Sequence, residues 1–321
     1  MDVAEFCTQS HVVVVAGKGG VGKTTVTAAL GLIAARAGLR VLLVGLDDQL
    51  GLPALFGQTA PLSYEAVPLT SDCLPGSTTG SLSGQVITSE AALLEYLAGH
   101  GLRRVAKRLV QTGTLDVIAT AIPGIREVLV LGKLKQIELA GAADLIVVDA
   151  PATGHALTFL TSSSGVLDAA RGGPLRSQAQ AVVEMLSDGK RCSVMLVTVP
   201  EETPINELIE SAYQLEDEVG IKLGPVVVNG CFPTSHSLSA DPAAAALQDG
   251  VQVDQATLHV IEEAAAFALN QVRLQHDQLA RLAEALALPK LLLPSVFVAS
   301  AGPNELVEIA DALASAIEAL P

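Results

Sequence analysis

Eight residues near the N-terminus constrain this chain more than any other segment: Gly17-Lys18-Gly19-Gly20-Val21-Gly22-Lys23-Thr24. They follow the β-branched run Val12 to Ala16 and lead into an Ala- and Leu-rich stretch, Lys23 to Ala37, with the composition of a helix. The spacing is G-x-x-x-x-G-K-[ST]. Glycines at these positions let successive backbone N–H groups curl around an anion without Cβ clashes. The N-terminus of the following helix adds its partial positive charge. Strand, turn and helix in this order predict a phosphate cradle in which Lys23 reaches the β- and γ-phosphates of a nucleotide. The Thr24 hydroxyl would hold Mg²⁺, and Thr25 would contact the α-phosphate.

The rest of the chain fits the fold such a loop requires. Strand-like runs at His11 to Ala16, Arg40 to Gly45, Asp144 to Asp149, Ser193 to Val199 and Pro225 to Asn229 alternate with helix-like stretches, and Leu291 to Val298 reads as a further strand broken by Pro294. That alternation predicts an α/β fold with a doubly wound, mainly parallel sheet. Asn304 to Leu320 reads as a terminal helix with Asn304 at its N-cap. Ser89 to Ala140, Asp168 to Ser187 and Asp254 to Ala287 read as consecutive helices. They predict one domain over 1–321 with helical subdomain segments at about 86–140, 165–190 and 236–288. The Gly-, Ser- and Thr-rich residues Thr70 to Gly84 read as a mobile loop.

Two aspartates close strands that end on the side of the cradle. Asp47 follows Val41-Leu42-Leu43-Val44, and Asp149 follows Leu145-Ile146-Val147-Val148. Ligands of open α/β sheets sit beyond the carboxyl ends of the strands, so both carboxylates face the crevice that holds the phosphates. One can orient an attacking water and the other can hold Mg²⁺ through a water.

Charge narrows the partners. With 19 basic and 34 acidic side chains the formal net charge is -15, which opposes nucleic-acid binding and direct contact with anionic membranes. The mean hydropathy of +0.47 comes from short buried strands, since no apolar run approaches the ~20 residues of a spanning helix. Met1 to Ser10 carries Asp2 and Glu5 and lacks a secretory pattern, so a cytoplasmic location is the default. Cys7, Cys73, Cys192 and Cys231 are far apart with no C-x-x-C spacing and read as isolated reduced thiols.

The longer string Gly17 to Thr25, G-K-G-G-V-G-K-T-T, resembles the deviant phosphate loop shared by the ArsA, MinD, ParA and nitrogenase-iron-protein group. The resemblance implies that Lys18 reaches across a dimer interface to the partner's nucleotide. Gly45 to Phe56 looks like switch I of the ArsA and tail-anchored-protein-targeting ATPases, which places Asp47 as the water-activating carboxylate; Asp48 and Gln49 depart from that family's Pro-Ala. Asp149-Ala150-Pro151-Ala152-Thr153-Gly154-His155 resembles switch II, with His155 either near the switch or simply a helix-start residue. Asn229 resembles the family's adenine-edge residue, Pro294 the proline that packs on the ring, and Glu201 in Pro200-Glu201 a residue approaching the partner's nucleotide. The order of these motifs holds from Val13 to Leu306. Ala121 to Lys133 and Arg171 to Pro174 resemble a bacterial, anion-transporting-like branch.

The resemblance implies a Mg²⁺-dependent ATPase that converts ATP to ADP and phosphate, with Asp47, Lys18 and Lys23 as its catalytic groups. It would act as a homodimer, or a heterodimer with a paralogous ATPase, that opens and closes on a hydrophobic protein segment or partner. The departures matter too: the cysteine cluster of an arsenite pump and a zinc C-x-x-C are absent, and only three methionines are present. A nucleotide-sensing regulatory dimer without a client, and a MinD- or ParA-like positioning ATPase, stay open as alternatives.

Overall fold

The computed structural model describes residues 1–46, 51–69, 80–112, 124–169, 171–233, 241–248, 250–296 and 301–321, without the side chains of 109–112 and 152–155. After a short helix α1 (Val3–Cys7), strand β1 (Val12–Gly17) enters the loop and helix α2 (Lys23–Arg36), followed by β2 (Arg40–Leu46) and α3 (Gly51–Leu55). Next come β3 (Val67–Pro68), β4 (Ser81–Ile87), α4 (Ser89–Gly99), α5 (Arg103–Thr112) and α6 (Ile125–Ala140). Strand β5 (Leu145–Ala152), α7 (Thr153–Ala169), α8 (Pro174–Ser187), β6 (Cys192–Thr198) and α9 (Glu202–Gln214) follow, and α9 ends in a π-helical turn at Leu215–Val219. The chain closes with β7 (Lys222–Leu223), β8 (Val226–Cys231), α10 (Pro242–Gln248), α11 (Gln255–Ala285), β9 (Lys290–Pro294) and α12 (Pro303–Glu318).

Among the described residues nine strands form one sheet in the order β3-β4-β2-β5-β1-β6-β8-β9, with β7 beside β6. Every pairing is parallel except β3 with β4. Strands buried on both faces explain the continuous Val, Ile and Leu runs. On one face Val12, Val14, Val44, Ile146 and Val148 pack with Leu131, Leu160, Met185 and Leu208 of α6 to α9. On the other, Leu43, Val147 and Leu291 pack with Leu30 and Ile33 of α2 and with Leu306 and Leu313 of α12. A charged strap joins α6 to the start of β6: the Arg191 guanidinium donates to both Glu138 oxygens at 3.0 and 2.6 Å.

Several expectations need correction. The stretch expected to be a loop through Gly84 contains the first four residues of β4, a seven-residue strand paired along its whole length with β2. Ser83, Gly84 and Gln85 disguise it, yet a Cβ at Gly84 would crowd Leu69 at 2.9 Å. Residues 70–79 of that stretch lie outside the described residues. The first helix after it begins at Ser89, where the sequence places it. The terminal helix is capped by Gly302 with Pro303 in its first turn, not by Asn304, and Glu305 accepts from the Gly302 N–H at 2.8 Å. Strand β5 continues past Asp149 to Ala152, and β9 ends at Pro294, which lies in register with Cys231.

Helix α2 crosses β2 at Gly31, where an added Cβ would meet the fully buried Leu43 side chain at 2.5 Å. Gly31→Ala should lower unfolding stability by about 1–3 kcal/mol. Leu43→Val in the same chain should return part of that loss, read as a positive coupling in a denaturant double-mutant cycle.

Candidate functional site

The site is built where β1 lies between β5 and β6, because the loop after β1 then opens between their ends. Gly17, the last residue of β1, is pressed onto β6, and a Cβ there would strike the Val197 carbonyl. Gly22 takes φ 92 as the N-cap of α2, a left-handed conformation that suits glycine. A Cβ at Gly22 would also strike the Asn229 amide. Helix α2 therefore starts with its unpaired N–H groups facing the hollow of the loop.

Three hydrogen bonds fix the polar groups around that hollow. The Thr24 hydroxyl donates to Asp149 Oδ2 at 2.7 Å, joining α2 to β5. The Lys23 ammonium donates to the Lys18 carbonyl at 3.0 Å, so it folds back over its own loop. The Asn229 amide donates to the Val21 carbonyl at 2.9 Å, tying the end of β8 to the loop. Asp149 is fully buried beside Val15 and Gly45 in the sheet. Burial raises its pKa to about 6, against the Thr24 hydrogen bond and the Lys23 charge, which lower it. Burial lowers the Lys23 pKa and the Asp149 charge opposes the shift.

Asp149 Oδ1 is buried without a hydrogen-bond partner among the described residues. An orphaned carboxylate oxygen beside a hydroxyl is an oxygen-only donor set, which fits a hard cation such as Mg²⁺ with its retained waters. No group of three or more His, Cys, Asp or Glu side chains able to hold a metal occurs among the described residues. Cys7, Cys192 and Cys231 are buried, and burial pushes their thiols up to about 12, 12 and 11. Such thiols are poor thiolate ligands. Cys73 lies outside the described residues.

The sequence-derived candidates divide by place. Gly17, Gly19, Gly20, Val21, Gly22, Lys23, Thr24 and Thr25 form the loop and first turn, and Asp149 and Asn229 meet them. Asp47 lies outside the described residues; after them the chain resumes at Gly51, whose Cβ position would be 3.6 Å from Thr24 Cγ2. The His155 side chain is likewise not described. Glu201 is the exposed N-cap residue of α9 with no side-chain capping bond. Pro294 sits at the end of β9, across from Cys231. Lys18 points to neither the hollow nor solvent alone: its ammonium donates to Glu207 of α9 at 2.6 Å. Glu207 was not anticipated. It carries no motif, and only the folding of α9 against β6 brings it to the loop.

Comparison with known proteins agrees with this geometry. The model of a family described as anion-transporting ATPase matches residues 10–169 and 174–291. ATPase BagA of Mycobacterium tuberculosis is 34% identical over 308 residues, covering 88% of this chain and 86% of that protein. An arsenical pump-driving ATPase of Escherichia coli is 29% identical over 267 residues, covering 75% of this chain but 43% of that longer protein.

The raised Asp149 pKa has a stability consequence. Relative to the ordinary carboxyl value of 3.8, folding favours the protonated form. This contribution is fully present below 3.8 and is lost as pH rises through about 6. Asp149→Asn should therefore stabilise the metal-free chain by about 1–3 kcal/mol at pH 7.5. The gain should vanish near pH 4, measured by urea titration in a chelator.

Proposed function

The chain belongs to the anion-transporting ATPase family and hydrolyses ATP, and on that premise we propose that it works as a Mg²⁺-dependent dimer whose opening and closing binds and releases an apolar protein segment. The observation that carries the reading is the Thr24–Asp149 hydrogen bond at the mouth of α2, beside a Lys23 that folds over the loop onto the Lys18 carbonyl. In this reading the loop N–H groups and Lys23 grip the β- and γ-phosphates, the Lys23 ammonium exchanging the Lys18 carbonyl for phosphate oxygen. Thr24 and, through a water, Asp149 would hold Mg²⁺, which would supply neutralising charge at the phosphate oxygens. Asp47 orients the water for in-line attack. Lys18, offered by the partner chain, meets the charge that grows on the transferred phosphoryl group. Asn229 and Pro294 border the adenine, and Glu201 approaches the partner's nucleotide.

In this reading the helical segments at about 86–140, 165–190 and 236–288 carry the motion of this single domain, pivoting where α6 to α8 pack on the sheet. Support for an apolar partner comes from α11. Val260, Phe267 and Leu274 repeat at seven-residue spacing and are exposed, as are Ile261 and Leu269. Among the described residues no helix is long and apolar enough to cross a membrane. A regulatory dimer without a client would have the same nucleotide chemistry and no use for that stripe.

A second reading, a positioning ATPase, has one observation in its favour. Helix α5 exposes Arg103, Arg104, Lys107 and Arg108 together, a local basic surface on an acidic chain. ATP-dependent co-sedimentation with anionic vesicles or DNA would select it, and absence of both would remove it.

The first reading is tested by turnover and sedimentation with Mg²⁺ and ATP. Lys18→Ala should lower kcat by about 10³-fold, the scale of a cation supplied in trans, while ADP affinity is kept. Unchanged turnover in that variant removes the trans lysine. Asp47→Asn should hold ATP unhydrolysed in a dimer; normal phosphate release from it removes Asp47 from the water-orienting role.

A further inference from the structure

We infer that Glu207 is a positioning residue for the known hydrolysis: it holds the Lys18 ammonium within its own chain and gives it up when a nucleotide is bound. The inference deepens the trans-lysine reading above and rests on it for the destination of Lys18, but not for its starting point.

The geometry is direct. Lys18 Nζ lies 2.6 Å from Glu207 Oε1, with the two side chains 37% and 39% exposed. The pair sits at the surface where the loop meets α9, so it forms without burying charge and parts without stranding one. The two ends differ in freedom. Glu207 stands on a helix pinned by buried Ile205 and Leu208. The Glu207 carbonyl accepts from the Ser211 hydroxyl at 2.6 Å, and the adjacent Asn206 accepts from Arg281 of α11. Lys18 stands on a loop and carries its charge on a flexible four-carbon stem. When the pair opens, Lys18 is the member that travels.

The same loop supplies the trigger. Lys23 donates to the Lys18 carbonyl, so one lysine holds the backbone of the other while Glu207 holds its side chain. A polyphosphate arriving in the hollow is a stronger acceptor for Lys23 than a peptide carbonyl. Once Lys23 turns to it, the Lys18 peptide loses its brace and the Lys18 ammonium can exchange one anion, the Glu207 carboxylate, for another, the phosphate. The other described Lys and Arg ion pairs, such as Arg40–Asp144 and Arg191–Glu138, join parts of the frame. Lys18–Glu207 is the one that joins the phosphate loop to a helix.

Exposed pairs of this kind are worth little, so the hold sets a modest threshold. Glu207→Gln should lower the half-saturating ATP concentration about two- to fivefold and leave kcat unchanged. A merely structural glutamate would raise it or lower kcat. Glu207→Asp, which keeps the charge on a shorter arm, should fall between. The pair itself is read in the full-length wild-type chain with a water-soluble carbodiimide, which joins a carboxylate and an amine only in direct contact. Mixed isotope-labelled and unlabelled chains tell intrachain from interchain products.

The expected result is an intrachain Lys18–Glu207 amide without nucleotide that disappears with Mg²⁺ and a non-hydrolysable ATP analogue. Persistence of that amide with the analogue, an interchain product, or a half-saturating ATP concentration unchanged or raised in Glu207→Gln overturns the inference. Sedimentation of the same samples separates the two levels. If the amide disappears while the chain stays monomeric, the dimer reading fails and the role of Glu207 stands.

Discussion

A fully buried carboxylate at the centre of the sheet sets the terms for everything around it. Asp149 lies between β1 and β2 with one oxygen bonded to Thr24 and the other without a partner among the described residues. Burying a carboxylate is expensive unless it is paired, and the frame accepts that expense at the point where β5 meets the phosphate loop. The strand order makes the meeting unavoidable. Because β5 is inserted between β1 and β2, its residue 149 must face the first turn of α2. A chain that wound β5 to the sheet edge would have the same motifs and no site.

The loop is braced from three sides before any nucleotide enters. Gly17 rests on β6, Asn229 reaches in from β8, and Thr24 is tied to β5. Only the two lysines are engaged by groups that a phosphate can replace, the Lys18 carbonyl and the Glu207 carboxylate. The arrangement separates a preformed cradle from a pair of cations that are parked rather than placed. Preorganised backbone donors need no rearrangement at the moment of reaction, whereas in the proposed reading the cations respond to what arrives.

Much of this was legible in the amino-acid string and some was not. Gly17 to Thr24 named its own turn because glycine spacing and a flanking valine run leave few other folds. Asp149 was legible from the apolar run before it. Strand β4 was not, because Ser83, Gly84 and Gln85 owe their strand to neighbouring β2 rather than to their own preference. Asn229 was read as a residue for the base, and its Nδ2 is bonded to the Val21 carbonyl. That contact crosses 208 positions of sequence and no local pattern announces it. Glu207 escaped for the same reason. The whole-chain charge of -15 likewise hid the basic surface of α5, since a sum carries no position.

Helix α11 has 31 residues, a rod of about 46 Å at 1.5 Å per residue. Its buried side chains, Gln275 and Leu282, lie in its C-terminal half, where Gln275 accepts from the Phe232 N–H, just past the end of β8, at 2.8 Å. From Gln275 to the far tip at Gln255 is about 30 Å. Tilting the anchored end by some 10° would carry that tip through roughly 5 Å, about one helical turn. The anchor is Phe232, three residues from the asparagine that touches the phosphate loop, so a shift too small to notice at the loop would be magnified at the tip by length alone.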